Sequence, residues 1–182
     1  MIIILEGPDG SGKTTFANDL AAKFGFRVAH EGPPPQDSHP IQYYSDVLEQ
    51  RRSEFPNWIF DRFAFGERIY GPWYRGKDGL GQVGWEIVKN RLRRRPFTDD
   101  HELWLHVLCL PPYEKCHAAW SSGREELIKD EHVFRTTYDL YQSYDYCFDH
   151  IVDYTIPGTY QELQDHISEL LSPVDEIPLL TA

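Results

Sequence analysis

The residues of this chain that could do chemistry begin at residue 7. Residues 7–14 read GPDGSGKT, a glycine-rich turn that runs into a lysine and a threonine and fits G-x-x-x-x-G-K-[ST]. That spacing suits a nucleoside triphosphate. Gly7 opens the pattern, and Gly10 and Gly12 let the backbone turn tightly and bring its N–H groups close to an anion. Lys13 reaches the outer phosphates as a point charge, and the Thr14 hydroxyl is of the type that ligates Mg2+. Asp9, Ser11 and Thr15 share the stretch and complete the candidate ATP contacts.

A second group is Asp61-Arg62. A carboxylate at that place holds Mg2+ through water or orients a phosphate acceptor, and the adjacent guanidinium clamps a second phosphate with two hydrogen bonds. The plainer reading is a surface ion pair. A third group follows in GERIYGPWYRGKDGLG, residues 66–81. Tyr70, Trp73 and Tyr74 offer flat faces for a base, Arg68, Arg75 and Lys77 offer contacts to phosphate or carbonyl oxygens, and the glycines suit a mobile loop. A tight surface turn with packed rings has the same composition. Tyr43, Tyr44, Arg51 and Arg52 are further candidates for an acceptor, or ordinary helix packing and solvated charge.

These groups act only if strands and helices bring them together. Residues 2–5, IIIL, form a short apolar β-branched run that ends at the glycine turn, a buried strand. A helix opening at Lys13 aims the positive end of its dipole at the anion, places Phe16, Leu20 and Phe24 on one face and stops at Gly25. Strands then recur at FRVAH, PNWIFDR, ELWLHVLCL and HIVDYTI. Helices recur at IQYYSDVLEQRR, GQVGWEIVKNRLRR, PPYEKCHAAW, HVFRTTYDLYQSYDYCF and TYQELQDHISELL. Alternation of this kind implies an α/β fold with a parallel sheet covered on both faces and ligands at the carboxyl ends of its strands, where residues 7–14 and Asp61 fall.

A chain of 182 residues is long enough for one domain with a sizeable core. Its net charge of −11 weighs against a duplex nucleic-acid partner, which needs a basic face. The one dense basic run, NRLRRR at residues 90–95, reads equally as a solvated helix end and as an anion site. The three cysteines show no C-x-x-C spacing and the eight histidines no ligand cluster, which fits a reduced cytosol and neither a disulfide framework nor zinc. Neither a signal peptide nor a membrane span is expected, so the expected location is cytoplasmic.

LEGPDGSGKTT resembles the opening of thymidylate kinases, E-G-x-D-G-x-G-K-[ST]-T, and FDRFAF at residues 60–65 resembles their D-R-[YF] segment. ELWLHVLCLPPYEKCHAAW and IVDYTIPGTYQELQDHISELL resemble the family's later strands and helices less specifically. The resemblance implies a three-layer P-loop kinase fold with a five-stranded parallel sheet. It also implies transfer of the γ-phosphoryl of ATP, with Mg2+, to a deoxynucleoside monophosphate such as dTMP or a related or modified pyrimidine nucleotide. Carried over by residue, Lys13 and the loop backbone hold ATP, Thr14 and Asp61 place Mg2+, Asp9 accepts the acceptor's 3′-hydroxyl, and Arg62, with Phe65, binds the acceptor. Residues 1–172 then form a single domain with a mobile lid at about 121–131, and residues 173–182 a tail. The loop GPDGSGK carries no arginine, so Arg124, in the lid-like SSGREELIKDE, is expected to cover the phosphates, with Lys129 as its substitute. The family's stacking phenylalanine and base-reading arginine before the D-R strand are not visible, so Tyr43, Tyr44 and Arg51 or Arg52 are the available substitutes, with Tyr70, Trp73 and Arg75 as further acceptor candidates. Members are commonly homodimers; no single feature here requires it. Three other readings remain open: a deoxynucleoside kinase in which Asp61 or Glu6 serves as base, a kinase of a modified base in DNA, and a nucleotide-binding regulator without turnover.

Overall fold

Ile2, Ile3, Ile4 and Leu5 are too apolar to face water on either side. They form β1 (Ile2–Glu6), buried at every position, in a computed structural model that describes residues 1–76, 80–93, 103–122 and 128–172. The elements then follow as α1 (Lys13–Phe24), β2 (Arg27–Ala29), α2 (Pro40–Glu54), β3 (Trp58–Asp61), α3 (Ala64–Arg75) and α4 (Gly81–Arg93). After them come β4 (Trp104–Cys109), α5 (Tyr113–Trp120), α6 (Glu131–Ser143), a 3-10 turn at Asp145–Cys147, β5 (His150–Val152) and α7 (Thr159–Leu171).

The five strands form one sheet in the order β2-β3-β1-β4-β5, every pair parallel. Side chains alternate along β1, and so do their partners. Ile3 and Leu5 pack with Phe16, Ala17 and Leu20 of α1 and with Leu163 and Ile167 of α7. Ile2 and Ile4 belong to the opposite core, with Leu48 of α2, Ile69 of α3, Trp85 of α4, Cys116 of α5 and Phe134 of α6. The result is a three-layer α/β fold, its parallel sheet covered on both faces as the alternation of strands and helices implies.

Two expectations change. The glycine-rich stretch after residue 66 is not a loop: α3 continues to Arg75 with Pro72 inside it. Phe65, Ile69 and Tyr70 bury one face, which holds the helix down, while Pro72 sits on the exposed side near the C-terminal end, where a missing hydrogen bond is tolerated. The long helix expected through residue 148 ends at Ser143 and tightens into the 3-10 turn. Lys77, Arg94, Arg95, Arg124, the middle of the lid segment (residues 123–127) and the tail at 173–182 lie outside the described residues. Among the described residues, no helix is long and apolar enough to cross a membrane.

Candidate functional site

The loop between β1 and α1 owes its shape to its glycines. Gly7, Gly10 and Gly12 all have positive φ, at 145°, 74° and 83°. A Cβ on Gly7 would stand 2.3 Å from the Cys109 carbonyl oxygen, and one on Gly10 would stand 2.4 Å from that of Cys116. The loop is thus seated on the ends of β4 and α5 and has no room for a side chain at either place. Lys13, 5% exposed, turns back over it and donates to the Pro8 carbonyl at 2.6 Å and to Ser11 Oγ at 3.2 Å. Burial, aided by the nearby Arg62, lowers the Lys13 pKa. An ammonium under that pressure gains from an anion placed against it.

Strand register sets the rest. Leu5 pairs with Asp61, and Ala29 with Phe60, so Asp61 stands beside the root of the loop and His30 just past β2. The Thr14 hydroxyl donates to Asp61 Oδ2 at 2.6 Å, and His30 Nδ1 lies 3.0 Å from the same oxygen. A hydroxyl and a carboxylate in contact are hard oxygen donors. Among the described residues no cluster of three or more His, Cys, Asp or Glu could cage a metal. That donor set fits Mg2+, which keeps waters and phosphate oxygens as most of its ligands.

Arg62 follows Asp61 and has φ 71°, the one positive value of a non-glycine among the described residues. That conformation costs about 1–2 kcal/mol. It is held by the Arg62 N–H, which donates to the Leu5 carbonyl at 2.9 Å, and by a side chain that bonds Asp9 Oδ1 and lies 4.8 Å over the Tyr70 ring. The other Asp9 oxygen, Oδ2, is buried without a partner.

Beneath these groups Glu6 ends β1, fully buried, and caps α3. Its Oε1 accepts from the Phe63 and Gly66 N–H groups at 2.9 and 3.3 Å, and Tyr141 donates to Oε2 at 3.2 Å. Burial pushes its pKa up to about 7. Sealed in this way, Glu6 is a support for α3 and does not reach a substrate hydroxyl, which removes it as the expected base.

Two cavities open at this place. One, about 420 Å³, surrounds Gly10, Gly12, Lys13, Thr14 and Thr15. The other, about 470 Å³, lies between α2, α3 and the segment after β2, with Tyr44, Glu67, Tyr70 and Tyr74 in its wall. Asp9, His30, Glu31 and Arg62 line both. Each carboxylate of the second cavity has an arginine: Asp9 bonds Arg62, Glu31 lies 3.1 Å from Arg51, and Glu67 lies 2.7 Å from Arg75.

The structure therefore brings together Gly7, Asp9, Gly10, Ser11, Gly12, Lys13, Thr14, Thr15, Asp61, Arg62 and Tyr70. Four expected acceptor residues stand elsewhere. Phe65 is fully buried, with its ring against Trp85 and Phe148 at 5.1 and 5.0 Å, because α3 turns it toward the sheet. Tyr43 leans on Tyr44 at 5.2 Å, and it is Tyr44 that lines the cavity, since neighbours on a helix point about 100° apart. Trp73 is 42% exposed, and Tyr74 takes the place in the wall. Arg75 pairs with Glu67 and donates to the carbonyls of Pro34 and Pro35, so it clips the segment after β2 onto α3. His30, Glu31 and Glu67 are additions. His30 and Glu31 carry a signal in the sequence, being the residues at the carboxyl end of a strand, where ligands of open α/β sheets sit.

No model of a known protein family matches the chain. Solved structures similar to it include the YorR protein of Bacillus subtilis in complex with phosphorylated GDP, at 15% identity and TM-score 0.69, over 93% of this chain and 95% of that one. Deoxyadenosine kinase of M. mycoides with bound dATP is similar at 16% identity and TM-score 0.59, over 92% and 100%. Shikimate kinase of Acinetobacter baumannii in complex with shikimate is similar at 17% identity and TM-score 0.52, over 93% and 91%. Likenesses at these identities establish the shared fold.

Proposed function

We propose that this protein is a kinase that moves the γ-phosphoryl group of ATP to a deoxynucleoside 5′-monophosphate, giving the diphosphate. The observation that carries the reading is Arg62. It lies between a cavity built for a triphosphate and a second cavity of nucleotide size, lines both, and is held in a strained backbone conformation by Asp9 and Tyr70. Phosphoryl transfer between two anions needs positioning and charge neutralisation, and no proton has to leave an alcohol. In this reading Lys13 and the N–H groups of residues 10–15 hold the β- and γ-phosphates, and Arg62 holds the acceptor phosphate in line. Asp9 accepts a sugar hydroxyl through Oδ2. Thr14 and Asp61 would hold Mg2+, which would supply positive charge against the phosphates. Arg124 supplies the cation that the loop lacks. The complex of YorR with phosphorylated GDP supports a nucleotide as ligand, while the name of deoxyadenosine kinase supports the alternative of a nucleoside acceptor.

The second reading, a free deoxynucleoside as acceptor, is favoured by Glu31, a carboxylate at the junction of the two cavities and a candidate base for a 5′-hydroxyl. The test is ADP release from MgATP against deoxynucleoside monophosphates, 5-hydroxymethyl-dUMP, the matching nucleosides and DNA. Release with a monophosphate and none with nucleosides is expected. Release with nucleosides alone selects the second reading. Activity on DNA alone, or ATP binding with no release, contradicts both.

A further inference from the structure

Three tyrosines stand in the wall of the second cavity, and two of them are already engaged. The Tyr44 ring packs edge-on against Tyr43 at 5.2 Å and Phe63 at 5.0 Å and is buried. The Tyr70 ring carries the Arg62 guanidinium at 4.8 Å, lies 6.2 Å from Tyr141 and is buried as well. Tyr74 differs. It is 40% exposed, and among the described residues it has no ring, cation or hydrogen-bond partner. Helix geometry fixes where that uncovered ring stands. Tyr70 and Tyr74 are four residues apart on α3, so they share one face of the helix at a rise of about 6 Å. Arg62 sits at Tyr70, and in the kinase reading it holds the acceptor phosphate. Tyr74 is one turn further along the cavity, on the side where sugar and base follow. Burial, and then the Asp9 carboxylate, pushes the Tyr74 pKa up to about 12, which agrees with a ring that faces the same cavity as Asp9. Tyr74 also borders the neighbouring cavity of about 490 Å³, beside Gln36, Asp37 and His39.

We infer that Tyr74 is the platform on which the base of the acceptor stacks, so that the site selects acceptors carrying a flat aromatic base over sugar phosphates that have none. The inference rests on the kinase reading for its premise that Arg62 receives the acceptor phosphate. A lone exposed tyrosine is ordinary on a protein surface. This one stands in a cavity wall, in line with the phosphate contact, with its ring left uncovered while its two neighbours in the wall are packed. Aromatic rings prefer an offset stack or an edge contact with another ring, and a nucleobase supplies one. Every base has a π-face, so such a stack separates base from no base far more than one base from another.

Binding is measured calorimetrically on the full chain, with Mg2+ and a non-hydrolysable ATP analogue filling the first cavity, so that turnover is not needed. The ligands are the four deoxynucleoside monophosphates, the matching nucleosides, and methyl 2-deoxyriboside 5-phosphate, which has the sugar and the phosphate but no base. In the wild type the dissociation constant of the tightest nucleotide is expected at least about tenfold below that of the base-free phosphate. Tyr74→Phe keeps the ring and is expected to keep that difference. Tyr74→Ala is expected to bring the nucleotide within about threefold of the base-free phosphate and to leave the base-free phosphate unchanged. If Tyr74→Ala fails to fold, Tyr74→Leu, which keeps apolar bulk without a π-face, is expected to show the same loss and decides in its place. Equal binding of nucleotide and base-free phosphate in the wild type, an unchanged difference in the Ala or Leu variant, or a variant that weakens both ligands alike overturns the role of Tyr74 and leaves the kinase reading standing. Binding of the ATP analogue with no mononucleotide or nucleoside bound overturns both.

Discussion

Arg62 shows how much one side chain is asked to do. It sits at positive φ, bonds Asp9, lies over Tyr70 and borders both cavities. A lysine in its place keeps the charge and the backbone strain but loses the planar fork and the stacking. Arg62→Lys is therefore expected to lower kcat/KM for the acceptor by about a hundredfold while leaving ATP binding nearly unchanged. Steady-state kinetics check it, and a loss within about threefold would remove Arg62 from the acceptor site. In the same assay, Arg124→Ala with near wild-type turnover would remove Arg124 as the covering cation. Arg62 was legible in the sequence because it adjoins Asp61 at a strand end after a phosphate-binding loop. Glu67 was not. A glutamate in a helix reads as solvated, and its partner Arg75 is eight positions on, outside the usual spacings of three or four. Tyr44 could be named only together with Tyr43, because two adjacent aromatics do not give the phase of a helix.

At the scale of the element, α3 forms a wall of the second cavity, and its start is fixed by one buried carboxylate. Phe63 and Gly66 donate to Glu6, and the positive end of the helix favours charge there, yet burial dominates and pushes the pKa from the ordinary 4.5 to about 7. Between those values the folded protein holds a proton that the unfolded chain has released. Stability from this group is present below pH 4.5 and is lost as pH rises toward 7. Glu6→Gln keeps an acceptor for both N–H groups and has nothing to titrate. The unfolding free energy of wild type relative to this variant is expected to fall by about 3 kcal/mol from pH 4 to pH 8 in urea melts. A difference constant with pH would contradict the buried, titrating state. Most elements were legible from apolar period and glycine stops. The exception, α3, reads as a loop because Gly66, Gly71, Pro72 and Gly76 fall in it, while Phe65, Ile69 and Tyr70 bury enough surface to override local preference.

For the whole molecule, the order β2-β3-β1-β4-β5 places the ends of β1, β2 and β3 side by side, and with them Lys13, His30, Asp61 and Arg62. No local stretch of sequence contains that site. The alternation of strands and helices made the sheet legible, but the pairing of Leu5 with Asp61 and the closing of a cavity by α2 against α3 depend on contacts far apart in the chain. The proposed reaction passes a phosphoryl group from one anion to another across Arg62. Its most direct test is a reaction with ATP labelled in the γ-phosphate, MgCl2 and a deoxynucleoside monophosphate, with the products separated by chromatography. The label is expected in the deoxynucleoside diphosphate, with formation lost in Lys13→Ala. Label confined to inorganic phosphate, or passed only to a nucleoside hydroxyl, would contradict the claim.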